Sequence, residues 1–303
     1  RAGVRYEETD VTSAAKSVLY NQTMWLAPGE EVIVLPAEDA DGNPLQGFED
    51  ITASYDLLLP SIDFDIEFIE NVVARASYSE TITRPNYNDI KGGLSVSGRV
   101  QYRTNTAPGA TAGNPGLVPI QSENIDLSLE WYYADDSYFS VGYFEKDVKN
   151  FIGTGFEETP IFDIPNVIGG QLWEDAKTAA GLTDTDYGEI GNYIINNYAD
   201  NAAVDTSVTP AQIYGQDGDP ALVWVLSRPV NQKAAEVDGI EINLQHTFGD
   251  TGYGFVANAT FANANIGYDV STPQEGQFVL NGLSDSANLI AFYDKNDLQV
   301  RLA

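Results

Sequence analysis

The sequence predicts an all-β chain, an incomplete antiparallel up-and-down transmembrane β-barrel of about nine strands with long loops at one end. Three observations predict it. Runs of strict polar–apolar alternation recur along the chain. The connections between those runs alternate long and short. No apolar run approaches the roughly 20 residues a membrane helix needs, whereas barrel strands carry apolar residues at every second position.

The clearest element spans residues 122–152. Ile125, Leu127, Leu129, Trp131 and Tyr133 fall on one face of a strand, and Asn124, Asp126, Ser128 and Glu130 on the other. After a turn at Ala134-Asp135-Asp136-Ser137 a second run returns from Tyr138 to Phe144. Trp131, Tyr133, Tyr138 and Phe139 gather at the turn end, as in the aromatic girdle of a membrane barrel. One such hairpin also suits a half-buried hairpin of a soluble sandwich; recurrence of the pattern decides for the barrel.

In chain order, residues 3–13 read as a strand, followed by a polar connection over 14–50 that holds a β-like run, Glu31-Val32-Ile33-Val34-Leu35. Residues 51–69 form a long strand, in which Pro60 predicts a bulge or break. Glu70-Asn71 is a tight turn into a strand over 72–83, and 84–119 is a second long connection. The third long connection, 153–235, contains two helix-like stretches, 171–180 stopped by Gly181 and 187–198. Residues 234–248 and 253–264 alternate around the turn Gly249-Asp250-Thr251-Gly252. A fourth long connection covers 265–282, then strands at 283–293 and 298–303 flank the turn 294–297.

Long and short connections therefore alternate, which predicts long loops at one end and tight turns at the other. Greek-key sandwiches give no reason for that sorting, and lipocalin-like barrels close at about eight strands without loops this long. Single-chain bacterial barrels have even strand numbers, so an odd count implies part of a larger barrel.

Composition bounds the function. The net charge is −30, which argues against nucleic acid as a partner and against adsorption to anionic lipid through a basic patch. The chain has no Cys and one His, so disulfides and Cys- or His-rich metal sites are excluded. No nucleophile–base pair or phosphate loop is readable, and the chain is not expected to be an enzyme.

Several passages resemble TonB-dependent outer-membrane receptors. They are Tyr55-Asp56-Leu57-Leu58-Leu59-Pro60-Ser61-Ile62, then Val73-Ala74-Arg75-Ala76-Ser77-Tyr78-Ser79-Glu80-Thr81-Ile82-Thr83-Arg84-Pro85, then Gly113-Asn114-Pro115-Gly116-Leu117 leading to Glu123-Asn124-Ile125-Asp126. Ser140-Val141-Gly142-Tyr143-Phe144-Glu145-Lys146-Asp147 and Glu236-Val237-Asp238-Gly239-Ile240-Glu241 continue in the family's order. The resemblance implies a barrel of about 22 strands around a plug, energised by the TonB–ExbB–ExbD complex through that plug. It implies location in the outer membrane of a Gram-negative bacterium, with outer-membrane lipid against the wall and the long loops outside. No TonB box or plug precedes Arg1, and the chain closes on Arg301-Leu302-Ala303 rather than on an aromatic residue. The phrasing is most similar to receptors of carbohydrate-using proteobacteria, which implies oligosaccharide uptake.

Candidate ligand-binding residues follow. Trp25, Trp173 and Trp224 lie in long loops, where each either packs a local loop core or offers a face for stacking on a sugar ring. Arg84, with Arg99 and Arg103, suits an anionic group or an ion pair with a nearby carboxylate. The strand phase points Ser140, Gly142, Glu241, Asn243, Gln245, Asn258 and Thr260 into the lumen. His246, on the apolar face near a turn, reads as a girdle residue. Asp39-Ala40-Asp41-Gly42-Asn43 has the look of a calcium loop without its final Glu, and Asp184, Asp186 and Glu189, like Asp217 and Asp219, form acidic groups. These read as solvated loop faces; no cofactor is expected beyond weak loop Ca²⁺. The leading reading is a receptor that binds an extracellular nutrient and imports it. A ferric-siderophore or metal-complex receptor is the alternative within transport, and a secreted β-rich binding or adhesive protein is the alternative outside it.

Overall fold

A computed structural model gives the fold and describes residues 1–101, 107–232, 234–265 and 284–303. The chain opens with β1 (Ala2–Val18), β2 (Tyr20–Ala27), β3 (Glu31–Pro36), β4 (Gln46–Ile69) and β5 (Val72–Thr83). The second loop carries α1 (Tyr87–Ile90), β6 (Leu94–Val96), β7 (Arg99–Gln101) and β8 (Gly109–Ala112). A hairpin follows, β9 (Ile120–Ala134) and β10 (Ser137–Lys149). The third loop carries β11 (Ile152–Thr159), α2 (Gln171–Ala180), α3 (Tyr187–Asn197), β12 (Val204–Asp205), β13 (Ala211–Tyr214) and β14 (Trp224–Asn231). The last strands are β15 (Ala235–Thr247), β16 (Tyr253–Ala264), β17 (Ser286–Lys295) and β18 (Leu298–Leu302).

Nine strands form one antiparallel sheet in the order β1-β4-β5-β9-β10-β15-β16-β17-β18. Each neighbour in the sheet is the next wall strand in the chain, so the wall is an up-and-down meander and an incomplete barrel. Register aligns side chains of one kind across the strands. Phe64, Ala76, Leu127, Tyr143, Ile240 and Phe261 make one row. One residue along, on the opposite face, the row is Asp65, Arg75, Ser128, Gly142, Glu241 and Thr260. The period-two alternation of each segment thus becomes one apolar and one polar face of a continuous sheet. The apolar face lies open: Leu127 is 47 % and Leu289 65 % exposed.

The tight turns use residues that tolerate positive φ. Asn296 (55°) and Asp297 (61°) together make the type I′ turn that matches strand twist. Between β10 and β15 the Phe144 ring lies over Gly239, where a Cβ would come within 2.5 Å of the ring and of the Phe261 carbonyl, so a larger residue does not fit.

Pro60 causes no break. β4 runs unbroken through it, and the irregularity falls at Glu67/Ile69 instead. The Asp63 N–H bonds the Arg1 carbonyl on the β1 side, so three residues earlier the Pro60 nitrogen points to the β5 side. There the ladder ends at Ser61↔Ser79, and no bond is forgone. β1 and β4 also stay paired far beyond the expected strand ends, from Ala2↔Ile62 to Val18↔Gln46.

The three described long loops are not plain connections. They fold into a five-stranded sheet, β12-β13-β2-β3-β7, a four-stranded sheet, β11-β14-β8-β6, and the two helices α2 and α3. One hydrophobic core unites them, including Trp25, Val32, Val100, Ala110, Trp173, Ile190, Ile213 and Trp224. The three loops therefore meet on one side of the wall as an external domain. The fourth loop lies almost wholly outside the described residues.

Candidate functional site

A cleft of about 850 Å³ opens beside β1 between the wall and the first residues of the second loop, bordered among others by Glu8, Asp10, Tyr55, Arg84, Tyr87 and Lys91. Arg84 follows directly on β5, and its guanidinium donates to Glu7 Oε2 at 2.8 Å. Glu7 is almost fully buried and is also paired with Arg5. The hydrogen bond from Arg84 to Glu7, and then the charge of that carboxylate, raise the Arg84 pKa above its ordinary value. Arg84 is therefore a fixed cation at the cleft, with most of its side chain still open to solvent. Alternate residues of a strand point to opposite sides, so Glu8 and Asp10 border the cleft from the other face of β1, and the groups open to a polar ligand are the Arg84 and Lys91 cations and the Tyr55 and Tyr87 phenols.

Arg99 pairs with Glu31 at 2.9 Å, and Arg228 with Glu157 at 3.1 Å. These are structural pairs between strands of the external domain. Arg103 lies outside the described residues.

Of the two readings of the loop tryptophans the structure supports the loop core, and the stacking role at Trp25, Trp173 and Trp224 is corrected. Trp25 and Trp224 are 0 % exposed and Trp173 1 %. Trp25 and Trp173 pack against each other with centroids 5.3 Å apart, Trp173 meets Tyr187, and Trp224 meets Phe162 edge-on. Their apolar area is used to build the external domain, and none offers a face to a sugar from outside.

The polar face of the wall carries the other candidates. Glu130, Ser140, Asn243, Asn258 and Asn288 form one cross-strand row. In it Asn288 donates to Asn258 at 3.0 Å, while Arg75 bridges to Glu130 at 3.0 Å. Glu241 and Thr260 lie one row away, and Gln245 donates to the Asp136 carbonyl at 3.0 Å near the turn end. His246 sits on the apolar parity among aromatics. Its Nδ1 is 3.0 Å from the Tyr133 hydroxyl, and its ring meets Phe248 edge-on at 4.6 Å.

The acidic loop groups are engaged locally. Asp39 Oδ1 accepts the N–H groups of Asp41 and Asn43, which closes a turn and lowers its pKa, the Asn43 N–H being the main cause. Lys177 holds Asp184 at 2.5 Å and Glu174 at 2.7 Å. Asp186 accepts from the Thr183 N–H and hydroxyl, and Asp219 accepts from the first N–H of α2 at Gln171. Glu189 lies in the first turn of α3. Among the described residues no three His, Cys, Asp or Glu side chains come together as a metal site.

Residues that sequence reasoning missed sit where the loops leave the wall. Asn231 Nδ2 donates to the carbonyls of Val118 (2.9 Å) and Asn150 (2.8 Å), and its Oδ1 accepts from the Val118 N–H at 2.9 Å. Ser13 and Ser17 on β1 accept from the N–H groups of Gly92 (2.6 Å) and Leu94 (3.2 Å). Asn and Ser in loops carry no periodic signal, so only the fold reveals them.

A nine-stranded meander with one apolar and one polar face, continued outward by long structured loops, is part of an outer-membrane barrel. The chain belongs to the TonB-dependent receptor-like β-barrel family, whose model matches residues 1–299. It is an outer-membrane protein of a Gram-negative bacterium. No curated protein matches it. Among solved structures it is similar to the ferric enterobactin receptor PfeA of Pseudomonas aeruginosa, in complex with enterobactin, at 17 % identity and TM-score 0.48, covering 89 % of this chain and 31 % of that one. It is also similar to the siderophore receptor PirA of Acinetobacter baumannii, at 16 % identity and TM-score 0.47, covering 89 % and 31 %. The third is the hemophore receptor HasR of Serratia marcescens with its hemophore and heme, at 11 % identity and TM-score 0.44, covering 99 % and 40 %. The chain spans less than half the length of each.

Proposed function

We propose that the chain supplies part of the wall and the external domain of a receptor that binds a small nutrient outside the cell and imports it. The energy comes from TonB–ExbB–ExbD through a plug that fills the barrel. The family match over residues 1–299 carries this reading. On it the polar face, with Glu241, Asn243, Gln245 and Asn258, lines the lumen and meets the plug, and the apolar face meets lipid.

The ligand reading is a small polar molecule received near Arg84. Burial of the three tryptophans removes the stacking contact they would have offered an oligosaccharide. The acidic balance of the chain works against a free anionic siderophore, because a negative field lowers its local concentration. Ferric siderophores, the ligands of the two siderophore receptors named above, and oligosaccharides are therefore the two arms of one uptake assay. The assay compares a strain lacking the whole receptor, the same strain complemented, and a TonB-deficient control. Complemented uptake of one ligand class that vanishes without TonB supports the reading. Uptake that persists without TonB sinks it.

A further inference from the structure

The external domain is stitched from loops that are far apart in the chain. In its five-stranded sheet β12 and β13 come from the third loop, β2 and β3 from the first, and β7 from the second. Register makes one row of Val204, Ile213, Trp25, Val32 and Val100, and all five side chains are buried. The four-stranded sheet repeats the arrangement, with β14 of the third loop beside β8 of the second through Leu226↔Ala110. Side chains add to the strands: Thr23 in the first loop donates to the Pro165 carbonyl in the third at 2.6 Å.

Moving any one loop alone would open a β-ladder and uncover parts of the shared core. Two of the exposed groups would be Trp25 and Trp173, each carrying roughly 150–250 Å² of surface. Moving the whole domain against the wall leaves every one of those contacts in place. The attachments to the wall are side-chain contacts and ladder continuations at the loop bases. They comprise the Asn231 amide, which ties Val118, Asn150 and its own strand end together, the two serine contacts on β1, and the Arg84–Glu7 pair. Two ladders also run from the wall into the domain: the β1–β4 ribbon, in which the 15 residues of β4 from Gln46 to Pro60 pair with β1 above the last β5 pairing, and the step from β10–β15 to β11–β14, where the Gln232 N–H bonds the Phe151 carbonyl.

We infer that the three loops form a single lid that moves and opens as one body, with Asn231 as the clasp that joins the second and third loops where they leave the wall. A ligand then enters when the whole lid shifts, and never by the opening of one loop. The inference does not depend on which ligand is carried.

Native-state hydrogen exchange of the whole receptor in nanodiscs tests it. With increasing urea, amides of β2–β3, β7–β8 and β13–β14 should merge onto one opening curve, distinct from that of the wall strands β9, β10 and β15. Trp173→Phe should speed exchange in all three loops by a common factor, on the order of tenfold for a large-to-small change in a filled core. Acceleration confined to the third loop, or three separate urea curves, overturns the single lid. Asn231→Asp keeps the acceptor and removes both donated bonds. It should speed exchange at 118–121 and 149–152 while the lid interior keeps its wild-type rates. Equal acceleration inside the lid would make Asn231 part of the lid core and overturn its role as a clasp.

Discussion

The wall and the lid solve the same problem with opposite solvents. In the lid, tryptophan, isoleucine and valine are hidden, and polar groups face water. In the wall, Phe64, Leu127, Ile240 and Leu289 stand exposed on one face of a sheet one layer thick. The difference follows from what surrounds each. Lipid is as apolar as leucine, so the wall gains little by hiding side chains and must instead satisfy every backbone group in its ladders. The lid stands in water and must bury a core to be ordered at all. Stability in the wall is thus mainly a matter of backbone hydrogen bonds and phase, and in the lid a matter of packing.

Truncating a core side chain should separate the two most sharply. Trp173→Ala removes a side chain that meets Trp25 and Tyr187 and should cost the lid about 3–5 kcal/mol. Leu127→Ala on the lipid face leaves no closed cavity, because acyl chains fill the space, and should cost a small fraction of that. Urea unfolding of each variant in lipid, followed by exchange at lid and wall amides, measures both. Equal costs would mean that the wall packs against something other than lipid.

Charge should sort the faces of the wall. Leu127→Arg should cost about 2–4 kcal/mol near the bilayer midplane, and Leu244→Arg, in the girdle row with Phe139 and Trp131, only about 0–1 kcal/mol. Ser128→Arg, one residue along from Leu127 on the polar face, should cost far less than Leu127→Arg. Folding titrations into vesicles read the difference, and tolerance of arginine at Leu127 together with rejection at Ser128 would reverse the faces. Asn231→Ala should follow at roughly 1–3 kcal/mol, since it leaves the Val118 and Asn150 carbonyls and the Val118 N–H without their partner. Faster proteolysis at the lid–wall crossings, with the lid itself intact, is the expected sign.

What the sequence discloses tracks this contrast. The wall was legible because one residue in two reports its face, as from Asn124 to Tyr133 and from Gly239 to Phe248, and strand neighbours follow chain order. The helices α2 and α3 were legible from local pattern, with Gly181 (φ 67°) closing the first. The lid sheets were not, because β7, β8 and β12 are four residues or fewer and find partners in other loops. The burial of Trp25 depends on Ile213 and Trp173, which no local window contains. The effect of Pro60 depended on which side its nitrogen faces, a matter of register rather than residue type. Arg84 was legible as a cation near the mouth, but its anchor Glu7 lies 77 residues away and gave no sign.

The smallest expected effect is a pH dependence confined to the lid. Hydrogen bonding from Lys177 holds the Asp184 carboxyl below the ordinary carboxylate range. The N–H and then the hydroxyl of Thr183 do the same for Asp186, and the Ser207 hydroxyl and then its N–H for Asp205. Each of these groups binds its proton more weakly in the folded lid than in the unfolded chain. Their contribution is therefore complete above the unfolded value, about pH 4, and is lost as the pH falls through the folded values. A second effect opposes it. The chain carries a net charge of −30, and protonating carboxylates relieves that repulsion as the pH falls. A comparison of variants separates the two. Asp184→Asn and Asp186→Asn each remove a titrating carboxylate but keep an amide oxygen as acceptor, while changing the overall charge by one unit. If the local contacts matter, lid exchange in wild type should rise below about pH 4 more steeply than in the paired variant, with no difference in slope between about pH 5 and 8. The difference should survive added salt better than the global repulsion does, since hydrogen bonds between touching groups are screened less than charges a Debye length apart. Identical acid profiles for wild type and variant would assign the lid's pH response to net charge alone.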